Sequence, residues 1–481
     1  MRTEKDFLGE RKIPADALYG IHSVRAKENF PNNESFNREW FKAMMIVKRA
    51  CYLTAKEFFS KAAEKYDLSS TSLREVDPVI LDVLIRSALI CEDGTHYDQF
   101  IVPAISGGAG TSINMNINEI LANLSLLQLG KKPGNYAEVD PIEHANIFQS
   151  TNDVVPTALR IATMRLLDRL EASVNLLRKK VEEKEIKYRD TLRSGYTQMQ
   201  EAVPTTYGKL FSTYSDALSR DWWRISKCHE RIKVVNLGGS AIGTSVTVPW
   251  FFVSEVVRVL QQITGLPVTR AENLSDATSN LDPIAEIHGI LKAHAVNLEK
   301  IAQDIRLIGS DIYGLHTVHI PQMQAGSSIM PSKVNPVISE FVISVCQKVY
   351  ANDIIISQLA AQGCLELNAY LPVIGHSLLE SINLLIACND TLANNLISGL
   401  EIDVKQSREN LFKSPSITTV LLPYIGYNKA SELAKFMREN DTDILEANRK
   451  FNFLDPEKLM EILQPENILK GGYRINDILD K

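Results

Sequence analysis

Apolar positions recur along the middle of this chain at intervals of three and four. From Thr157 to about Asp190 they fall at Leu159, Leu166, Leu170, Val174, Leu177 and Val181, the stripe of one helix face. A second stripe begins at Ile284 and continues through Ile287, Leu291, Ala295, Leu298, Ile301, Ile305 and Ile308. Two more long helices are predicted over Val337 to about Gln362 and Val373 to Leu396, with Pro372 suited to a first helical position. Helices near 25 residues, broken internally only by Gly289, predict a long bundle. Strand-like alternation is scarce and confined to short pieces such as 244–249 (TSVTVP). The pattern predicts an all-α protein.

Polar, glycine- and proline-bearing stretches separate the helices. They are 102–112 (VPAISGGAGTS), 140–156 (DPIEHANIFQSTNDVVP), 195–204 (GYTQMQEAVP), 236–249 (NLGGSAIGTSVTVP) and 321–336 (PQMQAGSSIMPSKVNP), all read as loops. Each carries several Ser, Thr, Asn or Gln, and loops on a rigid scaffold are where chemistry concentrates. They divide the chain into an N-terminal domain at 1–149, a central bundle at 150–400 and a small C-terminal helical domain at 401–481.

Composition narrows the function. With 45% apolar and 23% charged side chains over 481 residues, disorder and membrane classes are excluded. The 52 Lys and Arg against 58 Asp and Glu give a net charge of −6, no electrostatic footprint for nucleic acid. A local cationic pocket for a small anion remains open. The six scattered cysteines form no CxxC pair and read as reduced core residues. No apolar targeting segment opens the chain and no run of 18 apolar residues occurs, so the expected location is the cytoplasm, away from membranes.

In 326–336 (GSSIMPSKVNP), a cation and an amide two residues apart, Lys333 and Asn335, suit a carboxylate or phosphate. A nearby serine suits a nucleophile, or a base if its hydroxyl is acidified. No GxSxG elbow surrounds Ser327, and Gly107, Gly108 and Gly110 lack the spacing of a P-loop or Rossmann turn. Read alone, the segment is equally a surface loop with a solvated lysine. His316 and His319 sit three apart without a third ligand, and His288 and His294 read as packing or surface residues.

Taken together, these loops resemble the fumarase/aspartase superfamily. The segment 326–336 is similar to its signature loop, supported by 107–123 (GGAGTSINMNINEILAN), 149–153 (QSTND), 197–204 (TQMQEAVP) and 236–244 (NLGGSAIGT). Weaker matches extend from residue 13 to residue 434. The resemblance implies a three-domain helical subunit in a homotetramer whose active sites are each shared by three subunits. It implies cleavage of a C–N or C–O bond β to a carboxylate in a small dicarboxylate substrate, with neither cofactor nor metal. Residue by residue, it implies Ser327 as the base that removes the proton, with Lys333 and Asn335 on the α-carboxylate. Thr111, Ser150, Thr151 and Ser328 would hold the β-carboxylate, and Asn152, Thr197 and Gln198 would lie near the leaving group.

Gln198 separates the branches. Hydroxide is a poor leaving group and needs a general acid, which the hydratase branch usually supplies as histidine at this position. Neutral ammonia leaves without one, and a glutamine cannot titrate. Gln198 therefore points to the aspartase branch and to elimination of ammonia from L-aspartate. Tyr196, Asp140, Ile142, Glu143, Ser106, Ile147 and Phe148 depart from that branch's usual residues, which keeps open a modified or N-substituted aspartate. Hydration of fumarate and a non-catalytic scaffold are the remaining alternatives.

Overall fold

A computed structural model describes residues 1–479. It is 62% helical, and the few strands are short, paired in four two-stranded sheets. The predicted bundle helices are present as Thr151–Lys187, Asp282–Ile308, Val337–Ala360 and Leu371–Thr391. Two further long helices, Arg38–Lys65 and Thr111–Gln128, precede them. The stripe residues Leu159, Leu166, Leu170, Val174, Leu177 and Val181 are all fully buried, as are Ile287, Leu291, Ala295 and Leu298. Burying a side chain of this size contributes about 1.5–3 kcal/mol, so these faces decide the architecture. The stretch Leu371–Ile397 is long and apolar enough to cross a membrane, yet 67% of its most apolar window is buried within the protein, as in a core helix.

The described residues form two compact units. One comprises Met1–Glu171, Arg224–Lys292 and Lys348–Leu385; the other comprises Ala172–Trp223, Ala293–Gln347 and the residues from Ile386 onward. In the first, an antiparallel hairpin pairs Arg2–Asp6 with Gly9–Ile13. Buried Glu119 accepts hydrogen bonds from the Gly20, His22 and Ser23 amides, tying the segment after that hairpin to Thr111–Gln128. In the second, Leu411, Ile417, Leu421, Leu433, Ile444 and Leu459 form an apolar core between the short helices that close the chain.

Three local expectations are corrected. Residues 244–249 form a turn and no strand. Residues 195–204 are no loop, because Leu192–Thr197 and Gln200–Thr206 pair as a β-hairpin with a bulge between Ser194 and Tyr196. The stretch 140–156 is only partly a loop, since helix starts at Thr151 and runs through Pro156. His288 and His294 are fully buried and hydrogen bonded. His288 lies between Asp353 (3.0 Å) and Ser381 (2.9 Å), and His294 between Asp221 (2.9 Å) and Asn389 (3.1 Å).

Candidate active site

In the first unit, two helix N-termini are set side by side. Gly108, Ala109 and Gly110 take φ of 80°, 56° and 92°, a left-handed run that turns the chain into Thr111–Gln128. A Cβ on Gly110 would lie 3.1 Å from Val155 of the neighbouring helix, so glycine permits both the turn and the approach. The second helix is capped by Ser150 and Asp153. The Ser150 hydroxyl accepts from the Asn152 amide (3.2 Å), and the Asp153 carboxylate accepts from the Ser150 amide (2.9 Å). Asn114 of the first helix donates to the Thr151 hydroxyl of the second (3.2 Å). Thr111, Ser150, Thr151 and Asn152 are thereby gathered where two helix dipoles present their positive ends, an arrangement that favours a carboxylate.

Pro156 would break a helix interior, since it lacks an N–H and crowds the carbonyl four residues back. Here that carbonyl, of Asn152, accepts from the side-chain amide of Asn236 at 2.9 Å. Asn236 begins the 236–244 loop, which also donates its Gly238 and Ser240 amides to Asp153 and accepts from Asn152 through the Ala241 carbonyl. Burial nevertheless pushes the Asp153 carboxyl up to about 6.

Phe148 stands just before these donors with φ of 56°, an uncommon conformation for a large side chain. Its ring packs against Phe58, Phe59 and Phe252 at centroid distances of 5.6–5.8 Å, which gives this departure a physical account. Asp140 caps its own turn, accepting from the Ile142 and Glu143 amides at 2.7 Å, and Glu143 also pairs with Arg74.

In the second unit, the signature loop is clasped at its ends. The Gly326 amide donates to the Lys333 carbonyl (2.8 Å), and the Asn335 side chain donates to the Gly326 carbonyl (2.7 Å). A Cβ on Gly326 would lie 2.6 Å from the Lys333 carbonyl oxygen, so the clasp requires glycine. Inside it the Ser327 hydroxyl oxygen accepts from two backbone amides, Ile329 (3.2 Å) and Met330 (3.0 Å). Ser327 and Asn335 are half-buried, whereas Ser328 and Lys333 are exposed. The loop borders a 690 Å³ cavity lined by Gln322, Gln324, Ser327, Met330 and Lys333 among others.

Thr197 and Gln198 sit at the exposed tip of the 192–206 hairpin, also in the second unit. Among the described residues no hydrogen bond joins that tip to the signature loop. Tyr196, at the hairpin's end, packs its ring against Tyr313 at 5.3 Å between centroids. Glu340 lies in the first turn of Val337–Ala360 and pairs with Arg306 at 3.7 Å, a charge at a helix N-terminus. No group of three or more His, Cys, Asp or Glu is gathered as a metal-ligand set among the described residues.

Sequence reasoning missed Lys48 and Asn146. Lys48 is fully buried on Arg38–Lys65, and its ammonium donates to Asn146 Oδ1 at 3.1 Å. A lysine inside an apolar stretch reads as a side chain reaching to solvent, and only its fully buried neighbours Met44, Met45, Cys51 and Tyr52 mark it otherwise.

The geometry can be set beside known proteins. Residues 9–351 match a family model described as lyase, and residues 417–470 match one described as fumarase C C-terminus. The chain is 36% identical over 486 residues to an aspartate ammonia-lyase of Escherichia coli K12, covering 100% of this chain and 98% of that one. With an aspartate ammonia-lyase of Bacillus subtilis the identity is 35%, covering the same shares of the two chains. Among solved structures, a fumarate lyase:delta crystallin from Brucella melitensis superposes with a TM-score of 0.88 at 33% identity, covering 98% of this chain and 100% of that one. A class II fumarase from Schistosoma mansoni gives 0.85 at 26% identity, with the same coverage. The chain belongs to the fumarase/aspartase superfamily of lyases.

Proposed function

We propose that the protein is an ammonia-lyase that converts L-aspartate to fumarate and ammonia, acting as a homotetramer. The observation that carries the reading is Ser327, whose hydroxyl oxygen sits under two converging backbone N–H groups in a glycine-dependent clasp. As the base, Ser327 must be an alkoxide. Each unit by which its pKa exceeds the working pH costs about 1.4 kcal/mol. A hydrogen bond to a charged group contributes about 1.5–3 kcal/mol, so the Ile329 and Met330 amides together offset two to four such units. Lys333 and the exclusion of water on substrate binding supply the remainder.

In the proposed reaction the Ser327 alkoxide takes a proton from the carbon beside the β-carboxylate. The electron pair moves into that carboxylate, giving a dianionic aci-carboxylate held by Thr111, Ser150, Thr151 and Ser328. The pair then returns to form the C–C double bond as the C–N bond breaks and ammonia leaves with its bonding electrons. Lys333 and Asn335 hold the α-carboxylate, and one Asn335 N–H also closes the loop on Gly326. Gln198, with Thr197 and Asn152, orients the ammonium group without titrating. The names of the aspartate ammonia-lyase relatives support this choice of substrate.

The test is fumarate formation, followed by ultraviolet absorbance, from L-aspartate and from L-malate in parallel. Turnover of aspartate alone is expected, with S327A reducing it by at least a thousandfold while the assembly is retained. Turnover of malate would reassign the protein to hydration, and activity in S327A would remove Ser327 as the base.

A further inference from the structure

Behind the two helix N-termini lies a buried cluster that the reaction above leaves unused. Three donors converge on one acceptor, Asn146 Oδ1: Lys48 Nζ at 3.1 Å, Asn114 Nδ2 at 3.0 Å and Asn118 Nδ2 at 3.3 Å. Lys48 and Asn118 have no exposed surface and Asn114 only 2%. The carbonyl oxygens of Asn114 and Asn118, and that of Gln149, are buried without a partner. Asn114 and Asn118 share an acceptor with the buried Lys48 amine while their own oxygens lack donors, so the cluster is rich in acceptors and suits a cation.

The same amides reach the substrate side. Asn114 Nδ2 donates to the Thr151 hydroxyl oxygen, which fills one of its lone pairs and leaves its O–H free to donate elsewhere. The titratable groups facing Lys48 are few: Cys51 on its own helix, whose thiol burial keeps neutral, and Asp153 on the helix that Thr151 opens. Its partner in the turn before Thr151 is the neutral amide Asn146, which also accepts from the neutral amides Asn114 and Asn118 of Thr111–Gln128.

We infer that Lys48 is a positioning residue for the dicarboxylate: through Asn146 and Asn114 it fixes Thr151 as a donor, and it binds a proton when the dianion enters. Burial draws the empty protein's Lys48 down to about 7, so near neutrality the site is only partly charged before ligand arrives. A dianion placed beyond Thr151 favours the ammonium and raises its affinity for the proton. Linkage gives the sign. Binding tightens wherever the complex holds the extra proton, so affinity is flat below the free Lys48 pKa and falls as pH rises above it. This inference rests on the dicarboxylate reading of the site and not on which amine is released.

The experiment is calorimetric binding of succinate, whose carboxyls are both ionised in the range used, to the intact assembly at pH 7 to 9. Running it in two buffers of different ionisation enthalpy counts the protons taken up. The wild type should take up a substantial fraction of a proton per site near pH 8, and its Kd should rise roughly tenfold between pH 7.5 and 9. The variant K48M keeps the length of the side chain without its charge. It should bind more weakly, with no proton uptake and a flat profile. Binding by the wild type without uptake, or the same uptake in K48M, overturns the role of Lys48 while leaving the dicarboxylate site intact. Failure of the wild type to bind succinate overturns the site reading and this inference with it. The wild-type measurement decides the matter even if K48M does not fold.

Discussion

Gln198 and Met199 fill both central positions of a two-residue hairpin turn, with φ of 53° and 60°. Such turns favour Asn-Gly, and a side chain in the left-handed region costs about 1–2 kcal/mol. The strain is borne where a long amide is wanted at an exposed tip, the pattern expected of a functional residue. M199G is expected to raise stability by about 1 kcal/mol in chemical denaturation and leave turnover of aspartate near normal. Q198N should also stabilise the turn, yet lower turnover at least tenfold because the shorter amide no longer reaches the ammonium group. A stabilised Q198N with normal kinetics would remove Gln198 from the site. At this scale the sequence was legible where a motif is contiguous, as in 326–336. It was not legible at Lys48, whose role depends on amides from residues 114, 118 and 146, far away along the chain.

Among the elements, Thr151–Lys187 relies on a distant segment to complete its first turns. Its proline leaves the Asn152 carbonyl to a side chain from the 236–244 loop, and Asn236, only 1% exposed, also donates to Thr278. N236A is therefore expected to destabilise the protein by about 1–3 kcal/mol, read by thermal or chemical denaturation, since a buried acceptor loses its donor. The signature loop makes the complementary case. G326A places a methyl against the Lys333 carbonyl and opens the clasp, so it should cut turnover by at least a hundredfold while circular dichroism and melting temperature stay near wild type. Unchanged turnover in G326A would mean the clasp has no part in forming the base. The long helices were legible because one apolar stripe repeats over about six turns. The 192–206 hairpin was hidden by Gly195 and Pro204, and the strands elsewhere are five residues or fewer, too short to show a period. Helix through Pro156 was hidden because the residue that rescues it lies 80 positions away.

For the whole molecule, the proposed sharing of each site between subunits makes a distinctive prediction. S327A and T151A carry their defects in different loops, so each alone should be inactive. Subunits of the two variants, unfolded together and reassembled, should recover activity that neither shows alone, measured as fumarate formation. No recovery from a correctly assembled mixture would argue that each site draws on one chain. The division of the described chain into two units carries a further consequence, for biosynthesis. Each unit is discontinuous, taking three separate stretches of sequence, and the first needs residues as far as Leu385. At a ribosomal rate of about 5–20 residues per second, roughly 10–40 s pass between emergence of its first stretch and emergence of its last. During that interval the apolar stripes of Thr151–Lys187 have no complete partner. The nascent polypeptide must therefore be shielded rather than folded segment by segment, and its yield in a cell should depend on chaperone capacity more steeply than its final stability would suggest.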